Sequence, residues 1–357
     1  MKNNNILITG LLFLFVLSCT GDDLSDSNSI TSIQTLDAWM EKNKPDVPKY
    51  KEGFYLSITH DPNITKSNPP VDTSVVGISY CVKTLDGNYV ANTNAQTARI
   101  LGKFSNKTNY VPFTFVLKYY YHYNGMNAAI YEALKTMSKG DTAEMYLSVG
   151  WAYGGNKVDS IYLGFTGNRY LPAGKIVHIS LTLDSIVNKP LIAQEYLISD
   201  YVKAHFSKES IPVKKGIYKD ILVENNIAKD TIPSDTSLMI DYIGYLPNGF
   251  VFDTSLKGIA EERRIYNPSS KYKPITYTYN RRDTSNYSGM IKAWRHVIST
   301  MKLGEQAIFI ADASYCYGNV GKYEQNATLL PVYTPLIFFI HVLSPAEAAK
   351  REEDLDE

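Results

Sequence analysis

"IDYIGYLPNGFVFDTS" (residues 240–255) decides the fold, because a similar stretch, "ISYCVKTLDGNYVANT" (residues 78–93), stands earlier in the chain. Its alternating apolar residues predict a strand, and Asn248-Gly249 predicts a hairpin turn into a second strand. Asp253 follows directly behind the apolar Phe252, where a carboxylate is costly unless it is hydrogen-bonded. Ala91 stands at the matching place in the first stretch. The pattern predicts two related domains that have diverged in function.

The repeat extends over most of the chain at a nearly constant separation; Tyr80 and Tyr242, for example, lie 162 residues apart. A helix is predicted before each copy, near Ile33–Lys42 and Leu191–Phe206. The matching segments are residues 51–58 and 214–221, 78–90 and 240–252, 130–147 and 294–311, and 151–155 and 315–319. One domain is therefore present twice, with its elements in the same order.

Within the second copy, the hydrophobic pattern predicts several strands and one short helix. An apolar stripe at Ile291, Trp294, Ile298 and Met301 predicts the helix, which we expect Leu303-Gly304 to end. The predicted strands are residues 217–223, 237–245, 250–253, 306–311 and 335–343, with a loop at 315–321. Antiparallel strands with one covering helix indicate an α+β fold in each copy.

The order of these residues resembles the signature of the FKBP-type peptidyl-prolyl cis-trans isomerases, here in a tandem arrangement. The matching residues are Tyr242, Gly244, Leu246, Gly249, Phe252, Asp253, Ser255, Ile291, Trp294, Met301, Gly304, Glu305, Tyr317, Gly318 and Pro331. The resemblance implies two FKBP-like domains, each an antiparallel β-sheet wrapped on one short helix. It also implies prolyl isomerase activity on proline-containing polypeptides.

The resemblance further implies an aromatic cup in the second copy that holds a proline ring on Trp294. Its catalytic residues would be Tyr242, Phe252, Asp253, Trp294, Tyr317 and Phe338. Its substrate-binding residues would be Met290, Ile291, Leu330 and either Ile275 or Tyr277. The Ile291 N–H and the Tyr317 hydroxyl would hold the carbonyls that flank the proline. Two stretches, residues 254–273 and 280–288, are longer than the family's usual loops and would rim the cup.

Asp253 has two interpretations. As a wall of the cup it would accept a hydrogen bond from the Tyr242 hydroxyl, which would offset its burial. It could instead be a turn acid that bonds its own backbone, a common role for aspartate.

The first copy departs from the family pattern at the cup. Val90 replaces the phenylalanine, Ala91 the aspartate and Ile130 the tryptophan, while Asn127 stands where the backbone-donating isoleucine would be. Tyr80 and Tyr153 are retained. We therefore expect the first copy to be a binding or structural module with a degenerate pocket.

The N-terminus has the layout of a targeting segment. Lys2 precedes an apolar run at residues 6–17, which is too short to span a bilayer. "VLSC" resembles a bacterial lipobox with Cys19 as the lipidated residue, and Thr20 behind it favours the outer membrane, on its periplasmic or surface face. The alternative is a plain secretory peptide with an incidental cysteine. The predicted boundaries are a signal peptide (1–18), a disordered tether (19–31), the degenerate domain (32–188), the isomerase domain (189–345) and a charged tail (346–357).

Composition narrows the choice of partners. The 36 basic residues balance 36 acidic ones, so nucleic acid is not an expected partner. Separately, we expect the protein to be a monomer. The six histidines are scattered without ligand spacing, so neither a metal nor a cofactor is expected. Cys81 and Cys316 could form a disulfide in an oxidising compartment, but two buried thiols are the favoured interpretation.

The leading functional hypothesis is an envelope lipoprotein whose second domain isomerises prolyl bonds and assists the folding of exported proteins. The first alternative is a non-catalytic protein that binds polypeptide or glycan on exposed tyrosines. The second alternative is a purely structural surface lipoprotein, which predicts no pocket in either domain.

Overall fold

A computed structural model of the chain describes residues 21–118, 126–153, 160–162, 170–172, 174–207, 210–225, 232–233, 235–279, 290–322 and 330–356. The predicted signal peptide, Cys19 and the predicted rim stretch 280–288 lie outside these residues. Over the part of the chain so described, no helix is both long and apolar enough to span a membrane.

The described chain contains the following elements. The helices are α1 (Gly21–Asn43), α2 (Ala95–Ile100), α3 (Met126–Leu134), α4 (Val149–Tyr153), α5 (Pro190–His205), α6 (Lys257–Glu262), α7 (Lys292–Ile298) and α8 (Pro345–Asp356). The strands of the first half are β1 (Lys49–Lys51), β2 (Phe54–Thr59), β3 (Val75–Thr84), β4 (Tyr89–Asn92), β5 (Phe113–Val116), β6 (Thr142–Leu147), β7 (Ser160–Tyr162), β8 (Tyr170–Pro172) and β9 (Val177–Val187). Those of the second half are β10 (Ile211–Lys214), β11 (Ile217–Val223), β12 (Thr236–Tyr245), β13 (Val251–Thr254), β14 (Ile275–Tyr279), β15 (Gln306–Ala311) and β16 (Leu336–Val342).

The two halves form separate antiparallel sheets with the same strand order. The first sheet runs β1-β2-β6-β9-β3-β4, with β5 paired to β3. The second runs β10-β11-β15-β16-β12-β13, with β14 paired to β12. Strand for strand the two orders correspond, which confirms the predicted α+β fold and the tandem repeat.

One helix in each half buries the same face against its sheet. Ala293, Trp294, Val297 and Ile298 of α7 belong to the second core. In the first half the corresponding residues 129, 130, 133 and 134 of α3 belong to the first core. The two domains therefore share a core plan although few of its side chains are identical.

The helix that precedes each domain docks by an equivalent hydrogen bond. Ser32 on α1 accepts from the Val149 N–H at 3.3 Å. Gln194 on α5 accepts from the Ala313 N–H at 3.0 Å. Both helices were predicted, and both belong to the repeated unit.

Helix α1 begins at Gly21, so the disordered tether predicted for residues 19–31 is wrong from residue 21 onward. The buried side chains of Ser32, Leu36 and Met40 fix one face of this helix on the first domain. Once this packing has fixed the first helical turns, each further residue adds a hydrogen bond at a low cost in conformational entropy. The helix can therefore extend toward the N-terminus.

Helix α7 ends at Ile298, earlier than the predicted stop at Leu303-Gly304. The hydroxyl of Ser299 donates to the His296 carbonyl, and that of Thr300 donates to the Val297 carbonyl, both at 2.7 Å. Such local bonds compete with the helical pattern. Met301 is still buried, but it reaches the core from a turn.

The two domains meet through a small apolar contact. Val332 of the second domain is buried against Val75 and Val116 of the first. Nearby, the Asn248 side chain donates to the Asn109 side chain at 3.4 Å. This contact brings a loop of the first domain to the edge of the second.

The two cysteines outside the N-terminal segment are free, as favoured from the sequence. Cys81 lies in the first domain and Cys316 in the second, and each is half-buried where burial was expected.

Candidate functional site

The turn between β12 and β13 brings Phe252 and Asp253 to the surface of the second domain. Gly249 adopts a φ of +83°, which glycine accepts without strain, and the Leu246 N–H bonds the Phe250 carbonyl at 2.9 Å to close the hairpin. Phe252 then lies over Gly244 of the neighbouring strand. A Cβ atom at Gly244 would lie 2.6 Å from the Phe252 ring, so a side chain there would displace it.

Four of the predicted aromatic residues form one cluster. The Trp294 ring lies 5.6 Å from that of Tyr242 and 5.5 Å from that of Phe338, edge to face in both pairs. Phe252 contacts Phe338 in the same way at 5.7 Å. Edge-to-face contacts of this kind stabilise aromatic clusters beyond their buried area.

A cavity of about 510 Å³ opens beside this cluster. Six of the predicted site residues line it: Tyr242, Phe252, Asp253, Ile275, Tyr317 and Leu330. The other lining residues are Lys107, Thr254, Ser255, Ile265, Asn267, Ser270, Lys271, Tyr272, Lys273 and Lys322. The structure thus assembles about half of the predicted set around one volume suited to a small ring and its flanking chain.

Trp294 and Phe338 lie beneath the cavity rather than on its surface. The Trp294 side chain is only 1% exposed, and its Nε1 has no hydrogen-bond partner among the described residues. The resemblance implied that the proline ring would rest on this indole. A ligand in the cavity would contact Trp294 only if the side chains that cover the indole moved.

Ile275 and Tyr277, the two alternatives on β14, differ in position. Ile275 lines the cavity, whereas Tyr277 is buried in the core two residues further along the strand. Met290 and Ile291 are half-buried and pack against the same core without lining the cavity. Ile291 caps the N-terminus of α7 in an extended conformation.

Asp253 is exposed on the cavity wall, which corrects the expectation that it would be buried. Its Oδ2 accepts from the Tyr242 hydroxyl at 2.8 Å, as predicted, and its Oδ1 accepts from the Thr254 N–H at 2.9 Å. Both proposed roles, the oriented wall acceptor and the turn acid, therefore have their hydrogen bond.

Residues 254–273, which we call the rim loop, belong to the repeated unit. The loop contains α6 and a stacked pair, Tyr266 on Tyr272 at 5.3 Å. The first domain has α2 at the matching position and stacks Phe104 on Tyr110 at 5.2 Å. The sequence analysis described this loop as longer than the family's usual loop. The constant separation between the two copies would have shown that both domains share it.

At the matching place in the first domain, the residues that correspond to the cup are buried. Tyr80, Val90, Ala91 and Ile130 are all buried in its core, where smaller aliphatic side chains replace the aromatic wall. The side chains of Asn127 and Tyr153 lie outside the described part of the chain.

A different cavity, also of about 510 Å³, lies on the outer face of the first sheet. Trp39, Tyr146 and the hydrogen-bonded pair of Glu144 and His178 line it. Burial alone would raise the pKa of Glu144, but hydrogen bonds from His178 and Ser180 lower it overall. Nothing in the sequence pattern had indicated this second cavity.

The strand order and the helix packed on the sheet define the second domain as an α+β domain, and a cavity with aromatic residues in its wall lies at its surface. Residues 229–343, within the second domain, match the family described as FKBP-type peptidyl-prolyl cis-trans isomerase. The first domain repeats its fold.

Solved structures that are similar to the chain include the following two. The three FKBP domains of wheat FKBP73 match at 16% identity and a TM-score of 0.29, covering 82% of this chain and 94% of that one. A peptidyl-prolyl cis-trans isomerase from Pseudomonas syringae pv. tomato matches at 16% identity and a TM-score of 0.32, covering 43% of this chain and 92% of that one. The search of curated proteins found no significant match.

Proposed function

We propose that the second domain is a peptidyl-prolyl cis-trans isomerase and that the first domain is inactive. The observation that carries the proposal is the cavity lined by Tyr242, Phe252 and Tyr317 within the segment that matches the isomerase family. At the matching place in the first domain, Val90 and Ala91 are buried in the core instead.

The chemistry requires no nucleophile or metal. Rotation about a peptide bond has a barrier of about 18–20 kcal/mol because resonance flattens the bond. The twisted amide has lost this resonance and is less polar than the planar one, so an apolar surface that excludes water favours it. Phe252, Ile275 and Leu330 supply such a surface in the cavity. An acceleration of about 10⁴-fold would need only about 5 to 6 kcal/mol of this preference.

Polar groups on the same wall would orient the substrate. The Tyr317 hydroxyl can donate to a carbonyl that flanks the proline, and the Asp253 carboxylate holds the Tyr242 hydroxyl in place. These groups bind and align the chain while its amide turns, which is the positioning that rotation about one bond requires.

The test is the cis-to-trans rate of a short proline peptide with the full chain. Wild-type protein should accelerate the conversion, and Phe252→Ala should reduce kcat/KM at least about tenfold, a loss of roughly 1.4 kcal/mol of transition-state stabilisation. Phe250→Ala is the matched control, since Phe250 packs on the same core from the same hairpin but does not line the cavity. No acceleration by wild-type protein, or equal losses in both variants, would contradict the proposal.

The burial of Trp294 favours an alternative, a protein that binds polypeptide or glycan without isomerising it. Peptide binding with no acceleration would support that alternative. The purely structural hypothesis predicted no pocket in either domain, and the cavity contradicts it.

We also propose, on the lipobox-like "VLSC", that Cys19 carries a lipid anchor and that the protein acts on exported polypeptides in the cell envelope. Incorporation of a labelled fatty acid by wild-type protein, and its loss in Cys19→Ala, would support the anchor. Incorporation by neither protein would contradict it.

A further inference from the structure

The wall of the second-domain cavity carries a strong excess of positive charge. Lys271, Lys273 and Lys322 of the second domain line it together with Lys107 of the first. Asp253 is the one acidic residue among the described residues that line it. The Asp253 carboxylate already accepts two hydrogen bonds within the protein.

The lysines come from three separate segments that converge on the opening. Lys271 and Lys273 are exposed at the end of the rim loop. Lys322 follows Tyr317 in the chain, and its ammonium group lies 5.5 Å from the centre of the Tyr317 ring. Lys107 reaches the cavity from the loop of the first domain that contacts Asn248 through Asn109.

The repeat shows that Lys271 and Lys273 are not a feature of the shared fold. The stacked Tyr110 corresponds to Tyr272, so Asn109 and Val111 of the first domain occupy the positions of Lys271 and Lys273. The loop conformation is thus kept without the lysines. Their presence beside the one cavity that has the isomerase motif points to a role in binding.

We propose that this cavity binds polypeptide segments in which acidic side chains flank the proline. A cleft lined by charges of one sign raises the local concentration of the opposite sign and speeds association. The apolar wall receives the proline ring, while the lysines at the opening contact carboxylates one to three residues away along an extended chain. The inference deepens the proposed function, because it names the class of substrate for the same site.

The direct test is binding, measured by fluorescence anisotropy with labelled peptides and the full chain. Three peptides share one proline-containing sequence and carry Glu, Gln or Lys at two flanking positions. At low salt the Glu peptide should bind about threefold to tenfold more tightly than the Gln peptide, and the Lys peptide more weakly than both. The difference should disappear at about 1 M salt, where the screening length falls to about 3 Å.

The variant Lys271→Gln/Lys273→Gln should bring the ratio of Glu-peptide to Gln-peptide affinity toward one. Lys203→Gln is the control, since Lys203 is exposed on α5, whose buried face covers the outer side of the second sheet. It should keep the wild-type ratio. Equal or absent binding of the Glu and Gln peptides at low salt, or an unchanged ratio in the double variant, would overturn the inference.

Turnover separates this inference from the proposed function. Preferential binding of the Glu peptide without any acceleration of its isomerisation would retain the inference and contradict the isomerase. Acceleration of all three peptides with equal affinities would support the isomerase and contradict the inference.

Discussion

Asp253 illustrates what one residue's sequence context predicts and what it leaves open. Its position behind Phe252 and the motif around it predicted the hydrogen bond to Tyr242, which the structure contains at 2.8 Å. Its exposure was not predictable, because it depends on where the rim loop runs. The same limit applies to Trp294. Its apolar neighbours on the helix predicted that it would pack in a core, but they could not predict that other side chains would separate it from the cavity.

At this site we expect Asp253 and Tyr242 to act as one unit. Asp253→Ala, Tyr242→Phe and the double variant should each reduce kcat/KM by about fivefold, because all three remove the hydrogen bond between Tyr242 and Asp253, worth about 1 kcal/mol. The double-mutant cycle measures this coupling. The circular dichroism spectrum should stay unchanged, since Asp253 is exposed.

Losses that add in the double variant would contradict this coupling. An unchanged rate in Asp253→Ala would contradict the role of Asp253 on the cavity wall and leave only that of a turn acid bonded to the Thr254 N–H.

Among the elements, the strands were the most predictable and the ends of helices the least. Strands β11 and β15 have the predicted bounds, because alternating or continuous apolar residues mark them locally. The predicted charged tail, residues 346–357, overlaps α8 (Pro345–Asp356), a helix that the sequence analysis did not predict and that contacts the second domain through Arg351. Ser344 and Glu347 cap it reciprocally, a signal that the sequence does contain.

Docking of α8 depends on a partner far away in the sequence. Arg351 Nε donates to Asp241 Oδ2 at 3.1 Å, and Asp241 also accepts from the Ser255 hydroxyl at 2.7 Å. Asp241 is buried, so its charge needs these partners. Local sequence patterns cannot reveal a pair 110 residues apart.

Arg351→Ala should therefore destabilise the protein by about 1 to 3 kcal/mol, because it leaves the Asp241 carboxylate buried without its cation. Urea denaturation measures this as a lower midpoint. Lys350→Ala, which removes an exposed charge from the same helix, should change the free energy of unfolding by less than about 0.5 kcal/mol. Equal shifts in the two variants would show that the ion pair contributes nothing.

At the scale of the whole molecule, the constant separation of the repeat predicted two domains of one fold, and the identical strand orders confirm it. The contact between the domains was beyond prediction, because Val332 and Lys107 carry no local signal of what they meet. The two copies keep one backbone plan but differ in the side chains at the site. Val90 and Ala91 are packed into a core where Phe252 and Asp253 line a cavity.

The central claim, isomerase activity confined to the second domain, is tested most directly by one assay on matched variants of the full chain. Phe252→Ala and its first-domain counterpart Val90→Ala are compared in the cis-to-trans conversion of a proline peptide, at a temperature where both remain folded. We predict that Phe252→Ala loses at least about tenfold in kcat/KM while Val90→Ala keeps the wild-type rate. A wild-type rate in Phe252→Ala, or an equal loss in Val90→Ala, would contradict the account.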